Sequence, residues 1–129
     1  MTATGTPLRA DVVGLEPPGL RGIRCAGCER SSFPHRDLCP HCGSDAVTAI
    51  VLADRARVVS WTVVHQAPPP LQTPYTLATV DFPDGVRVLG VAVGDIAVDA
   101  AVTVELFPAK HATEGHPLWW YRFRATEEN

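Results

Sequence analysis

Four cysteines, Cys25, Cys28, Cys39 and Cys42, are the residues of this chain whose type and spacing could do chemistry. They fall in two Cys-x-x-Cys pairs, Cys25-Ala26-Gly27-Cys28 and Cys39-Pro40-His41-Cys42, separated by ten residues, and the chain has no fifth cysteine. Two residues between thiols let both sulfurs of a tight turn point at one centre. Two such turns facing each other supply the tetrahedral thiolate set that Zn2+ prefers. A closed four-thiolate shell leaves no position for water or substrate, so the expected ion is structural. Three other readings use the same residues. A disulfide within a pair would be strained at this spacing. An iron-tetrathiolate electron-transfer centre has the identical ligand set, but the chain offers no redox partner motif. A thiol-disulfide exchange pair would need one Cys-x-x-Cys near a βαβ pattern, which is missing. His35 and His41 could replace a sulfur, yet four cysteines complete the shell, and both read as solvated residues of the turns.

The elements that must position these thiols follow from composition and periodicity. At 129 residues the chain is long enough for one real core, whereas a metal module of about twenty residues must borrow stability from its ion. A net charge of -3 provides no basic field, which disfavours tight binding to a phosphate backbone. No apolar run approaches the roughly 18 residues of a membrane span, and Met1 to Ala10 lacks the features of a secretory signal, so a cytoplasmic protein is expected. Twelve prolines and ten glycines favour strands and turns over long helices.

Residues 1–19 read as a lead-in with a weak apolar cluster at Val12, Val13 and Leu15, stopped by Pro17-Pro18-Gly19. Residues 20–46 read as the metal ribbon, with Phe33-Pro34 as its apolar plug. Residues 47–129 alternate in the manner of strands: Thr48 to Ala53, Arg57 to Gln66, Tyr75 to Phe82, Val86 to Val93, Val102 to Phe107 and Leu118 to Arg124. In the second of these, Val59, Trp61, Val63 and His65 are expected on one face and Val58, Ser60, Thr62 and Val64 on the other. Turns separate all the strands, and no helical crossover intervenes. The expected fold class is therefore all-β: a four-cysteine zinc ribbon followed by an OB-fold Greek-key barrel with a C-terminal strand.

Outside the cysteines the chemistry is sparse. There is no nucleophile-elbow serine, phosphate-binding glycine loop or His-Glu hydrolase motif, so no catalytic residue is assigned. His65 is the one acid/base candidate, at a strand end beside the proline loop of residues 67–74; its plainer reading is a solvated strand-end histidine. Trp61 reads first as a core ring and second as a ligand platform. Trp119-Trp120-Tyr121 sets large rings on both faces of one strand, which hints at docking. The proline loop, with Pro69 at its centre, is either a stiff connection or a rigid arm for a partner. Arg55, Arg57, Arg122 and Arg124 read as solvent-facing strand residues rather than a phosphate site.

The order Cys25-x-x-Cys28, Phe33-Pro34, Cys39-Pro40-x-Cys42-Gly43-Ser44, then Val59-Ser60-Trp61-Thr62-Val63-Val64-His65, Pro74-Tyr75 and Gly85-Val86-Arg87-Val88-Leu89-Gly90 resembles the acyl-CoA-associated OB-fold family with an N-terminal rubredoxin-like zinc ribbon. The resemblance runs from about Leu20 to Phe107. It departs at Glu29, where the family usually has Gly, at Ala53 to Ala56, which replaces a Gly-x-Gly entry, and in lacking an N-terminal helical hairpin. The resemblance implies an accessory, non-catalytic subunit, hetero-oligomeric with a thiolase-fold large subunit and with an acyl-CoA hydratase as a further partner. Such complexes make or break carbon-carbon bonds on acyl-CoA by thiolysis, retro-aldol cleavage, condensation or C-acyl transfer. It also implies structural Zn2+ on the four cysteines, with acyl-CoA as a ligand shared with the partner. Trp61, His65, Pro69, Tyr75, Trp119 and Trp120 are then the residues expected to touch partner or acyl-CoA. The alternative is an OB-fold single-stranded nucleic-acid-binding protein with structural zinc.

Overall fold

Alternating apolar and β-branched residues produce strands throughout the computed structural model, which describes residues 5–68 and 73–126. Ten strands follow one another: β1 (Thr6–Pro7), β2 (Val13–Leu15), β3 (Pro18–Cys25), β4 (Ser31–Ser32), β5 (Val47–Val51), β6 (Arg55–Val64), β7 (Tyr75–Asp81), β8 (Arg87–Val93), β9 (Ala101–His111) and β10 (Pro117–Ala125). Among the described residues there is no helix, hence none long and apolar enough to cross a membrane.

The last five strands close on themselves. Antiparallel pairs join β6 to β7, β7 to β8, β9 to β10 and β6 to β9, and a parallel pair, Phe123 with Ala92 and Arg124 with Val93, joins β10 to β8. Closure leaves the inward side chains to fill the barrel. Val58, Val80 and Val88 form one level, with Ala78, Ala92, Val102 and the fully buried Phe123 around them. Gly90 is small for a physical reason. A Cβ there would lie 2.7 Å from ring atoms of both Tyr121 and Phe123, so β8 can pass close over those rings only without a side chain.

The second sheet pairs β3 with β2, β4 and β5, and it shares the barrel's core. Phe33, expected to plug the ribbon, instead meets the barrel's Tyr121 edge to face, with ring centroids 6.2 Å apart. The Tyr121 hydroxyl donates to the Leu89 carbonyl at 2.6 Å, which satisfies its polar end in the interior. The residues before Leu20 do more than lead in. Val12 and Val13 are buried in the common core, β2 hydrogen bonds along β3, and β1 runs parallel to the start of β10 with Thr6 opposite Leu118.

One expected periodicity fails within β6. The register skips from Val58 opposite Val80 to Ser60 opposite Thr79, a one-residue bulge. A bulge reverses which side chains point inward. Val58 and Trp61, predicted on opposite faces, thus both face the side of Val80 and Ala78.

Candidate metal centre

The two cysteine turns are built alike. In the first, the Glu29 amide donates to the Cys25 carbonyl at 2.9 Å; in the second, the Gly43 amide donates to the Cys39 carbonyl at 2.9 Å. Each turn then leaves through a left-handed residue, Glu29 with φ of 64° and Gly43 with φ of 78°. The first is a costly place for a side chain, because an L-residue in that region crowds its following carbonyl by about 1–2 kcal/mol. Glycine is freer in the unfolded chain and gives back part of that gain. Glu29→Gly is therefore expected to stabilise the protein by about 0.5–1 kcal/mol, read as a higher denaturant midpoint at unchanged metal content.

Neighbouring strands hold the turns face to face. The Cys25 amide donates to the Arg30 carbonyl, and Ala26 to Ala46, tying the first turn to the ribbon sheet. The Cys39 amide donates to the Ser44 carbonyl and closes the second. All four sulfurs lie within 4.8 Å of one another, with Cys25 to Cys42 and Cys28 to Cys39 both at 3.6 Å. Bonds of about 2.3 Å to a tetrahedral zinc set ligand sulfurs about 3.8 Å apart. The donor set fits a tetrathiolate ion, and all four thiols are free of disulfides.

Local electrostatics suit thiolates. Burial raises the Cys39 thiol, but the backbone amides of Cys42 and His41, together with hydrogen bonds from the Cys28 and Cys42 thiols, outweigh it and hold the group down at about 6; the His41 N–H lies 3.4 Å from Cys39 Sγ. The Cys28 amide chiefly lowers Cys25. At Cys42 the Ser44 amide acts to lower the thiol, yet the neighbouring Cys25 sulfur and the Cys28 and Cys39 thiols carry it up to about 11. Without a cation, four sulfurs this close cannot all carry charge. Cys25 and Cys39 are buried, Cys28 is half-buried and Cys42 faces solvent. His35 is half-buried, with its amide donating to the Asp11 carbonyl, and His41 is exposed.

The other predicted site residues separate into two groups. Trp61, His65 and Tyr75 gather where β6 meets β7, with Tyr75 directly opposite Val64. Trp61, read first as core, is 46% exposed, on the stretch where β6 no longer pairs with β9 after Arg57. His65 is exposed and Tyr75 half-buried. Trp119 and Trp120 lie on β10 opposite Pro108 and Phe107. Both are half-buried, and Trp120 packs 4.9 Å from the Tyr121 ring, against the core. Pro69 falls outside the described residues. Sequence reasoning also missed a charged cluster: Glu105 accepts from Arg122 Nε at 2.5 Å and Arg124 Nε at 2.7 Å. Arg124 foremost, with Arg122, overcomes burial to hold the Glu105 carboxyl down at about 2. The alternation of Glu105 and Phe107 against Arg122 and Arg124 is the signal that could have revealed it.

Comparison with known proteins matches both modules. The family described as "ChsH2, rubredoxin-like zinc ribbon domain" matches residues 13–48, and "ChsH2, C-terminal OB-fold domain" matches residues 49–106. The benzoylsuccinyl-CoA thiolase subunit BbsA of Geobacter metallireducens is 29% identical over 110 residues, covering 83% of this chain and 75% of that one. A DUF35 domain-containing scaffold protein of Pyrococcus furiosus is 30% identical over 99 residues, covering 71% of this chain and 73% of that one. Among solved structures, the Ltp2-ChsH2(DUF35) aldolase superposes with a TM-score of 0.68 at 30% identity, covering 83% of this chain and 84% of the other. With the paired cysteine turns, the parallel β8–β10 closure and both family matches in one continuous chain, the protein belongs to the DUF35 family of ChsH2-type zinc-ribbon and OB-fold proteins.

Proposed function

We propose that this chain is an accessory, non-catalytic subunit that binds a thiolase-fold partner and supports carbon-carbon bond cleavage or formation on acyl-CoA substrates. The observation that carries the reading is likeness across both modules, over 83% of this chain in each case, to the Ltp2-ChsH2(DUF35) aldolase and to a thiolase subunit. The chemistry of the chain is consistent with it. The four thiols are turned inward on one another, a four-cysteine set that leaves a bound Zn2+ no open position, so the ion supplies rigidity rather than catalysis. His65 is exposed, and among the described residues no hydrogen bond to a carboxylate orients its ring.

What the chain contributes is shape. Phe33 and Tyr121 lock ribbon to barrel, so the two modules present one rigid body to a partner. A cleft of about 710 Å³ beside β6 combines an apolar wall of Val59, Phe82, Pro83 and Val98 with two arginines and two aspartates, Arg55, Arg57, Asp81 and Asp99. Such a wall suits the channel for a pantetheine arm. The nucleic-acid alternative finds less support. Arg9, Arg87, Arg122 and Arg124 are engaged with Asp11, Asp81 and Glu105, which leaves those guanidinium charges largely matched by carboxylates instead of aligned along a basic groove.

Co-expression with thiolase-fold chains of the same genome tests the proposal. The expected result is a stable hetero-oligomer whose thioester carbon-carbon chemistry depends on both chains, while this chain alone turns over no acyl-CoA. Turnover by the isolated chain, or failure of every such chain to associate, overturns it.

A further inference from the structure

We propose that the open edge of β6 at Trp61 and Val63 receives an extended, uncharged strand of the thiolase-fold partner, a main-chain contact that rests on the accessory-subunit reading above. The Phe82 amide donates to the Val86 carbonyl at 2.9 Å, so along β7 the alternate residues Val80, Ala78 and Thr76 also direct their amides toward β8. Their partners on β6, namely Val58, Trp61 and Val63, must therefore turn their N–H and C=O groups away from β7. For Val58 those groups are used: its amide donates to Ala100 and its carbonyl accepts from Asp99. For Trp61 and Val63 no partner exists among the described residues, because β6 pairs with β9 only from Arg55 to Arg57.

The composition of the two diverging edges separates them. Beyond Thr103, β9 carries Glu105, Pro108 and Lys110, the charges and proline that keep an open strand from recruiting another chain. Val59-Ser60-Trp61-Thr62-Val63-Val64 carries no charge and no proline. The two residues whose main-chain groups point away from β7 also present apolar side chains, Trp61 at 46% and Val63 at 37% exposure. An unguarded edge flanked by an indole recruits a strand by main-chain pairing and anchors it by its alternate side chains. A second copy fits less well. Self-pairing would join only Trp61 and Val63 to their counterparts, far short of the roughly 1,200 Å² that a stable association buries, so the additional surface must come from a larger partner.

Hydrogen exchange on the full chain, alone and in complex with a co-purifying thiolase-fold chain, tests this directly. The Trp61 and Val63 amides are expected to exchange freely in the isolated protein and to slow at least tenfold in the complex, while the Ser60 and Thr62 amides, bonded to β7 in both, stay unchanged. Val63→Pro removes only an outward N–H, so it is expected to weaken association at least tenfold with little change in melting; should that variant misfold, the exchange data on the wild type decide. A complex that forms with both amides still exchanging freely overturns strand addition and leaves the accessory role standing. Protection that instead grows with concentration in the isolated chain assigns the edge to a second copy and overturns it as well. If no thiolase-fold chain associates at all, the accessory reading falls and this inference falls with it.

Discussion

Cys39→Ser should abolish tight metal binding and most of the folded population. Structural zinc ties on the order of 10 kcal/mol or more to folding in small modules, more than the whole net stability of many domains. Cys39 is buried, and two backbone amides favour its thiolate, so its replacement removes the ligand best prepared to meet the ion. Wild-type protein is expected to emerge colourless with one zinc per chain, and to lose its cooperative thermal transition when a strong chelator strips the ion. The variant is expected to show that chelated behaviour without chelator. Metal analysis and melting check both; unchanged zinc content and melting in the variant would refute the structural role, and a red protein would assign iron instead.

A chain beginning at Glu16 should lose about 3–6 kcal/mol of stability, enough to drop the melting midpoint by more than about 10 °C. The deletion removes Val12 and Val13, which are 4% and 0% exposed, and burying such a side chain contributes roughly 1.5–3 kcal/mol. It also uncovers Leu20 and strips β3 of its β2 partner. A truncated protein that melts with the full chain would mean that the N-terminal strands decorate the core without supporting it.

How much of this was legible in the sequence depends on how local the cause is. The paired cysteine spacing fixes the metal turns because the geometry spans only a few residues, and strict alternation placed β6 to β10 within a few residues of their observed ends. The importance of residues 6–15 was not legible. Val12 and Val13 are a weak cluster until the partners brought by β3 and β10 surround them. Nor was the exposure of Trp61. Its alternation with Val63 suits a core strand, but the Val58–Ser60 bulge and the divergence of β6 from β9 are tertiary events without a local signature. Glu29 was visible only as a departure from the family's glycine, and its φ of 64° gives that departure a physical meaning.

The parallel pairing of Thr6 with Leu118 has a consequence for synthesis on the ribosome. A nascent chain halted before β10 emerges would hold its first strand idle, with Val13 and Leu20 already collapsed beside a metal ribbon that has no Tyr121 to lean on. Bridging so long a span carries a loop-closure cost that nearby hairpins do not bear. The ribbon can therefore load its ion early, but the platform offered to a partner is finished only when the tenth strand slides in beside the first, so assembly with that partner belongs after translation of this chain has passed it.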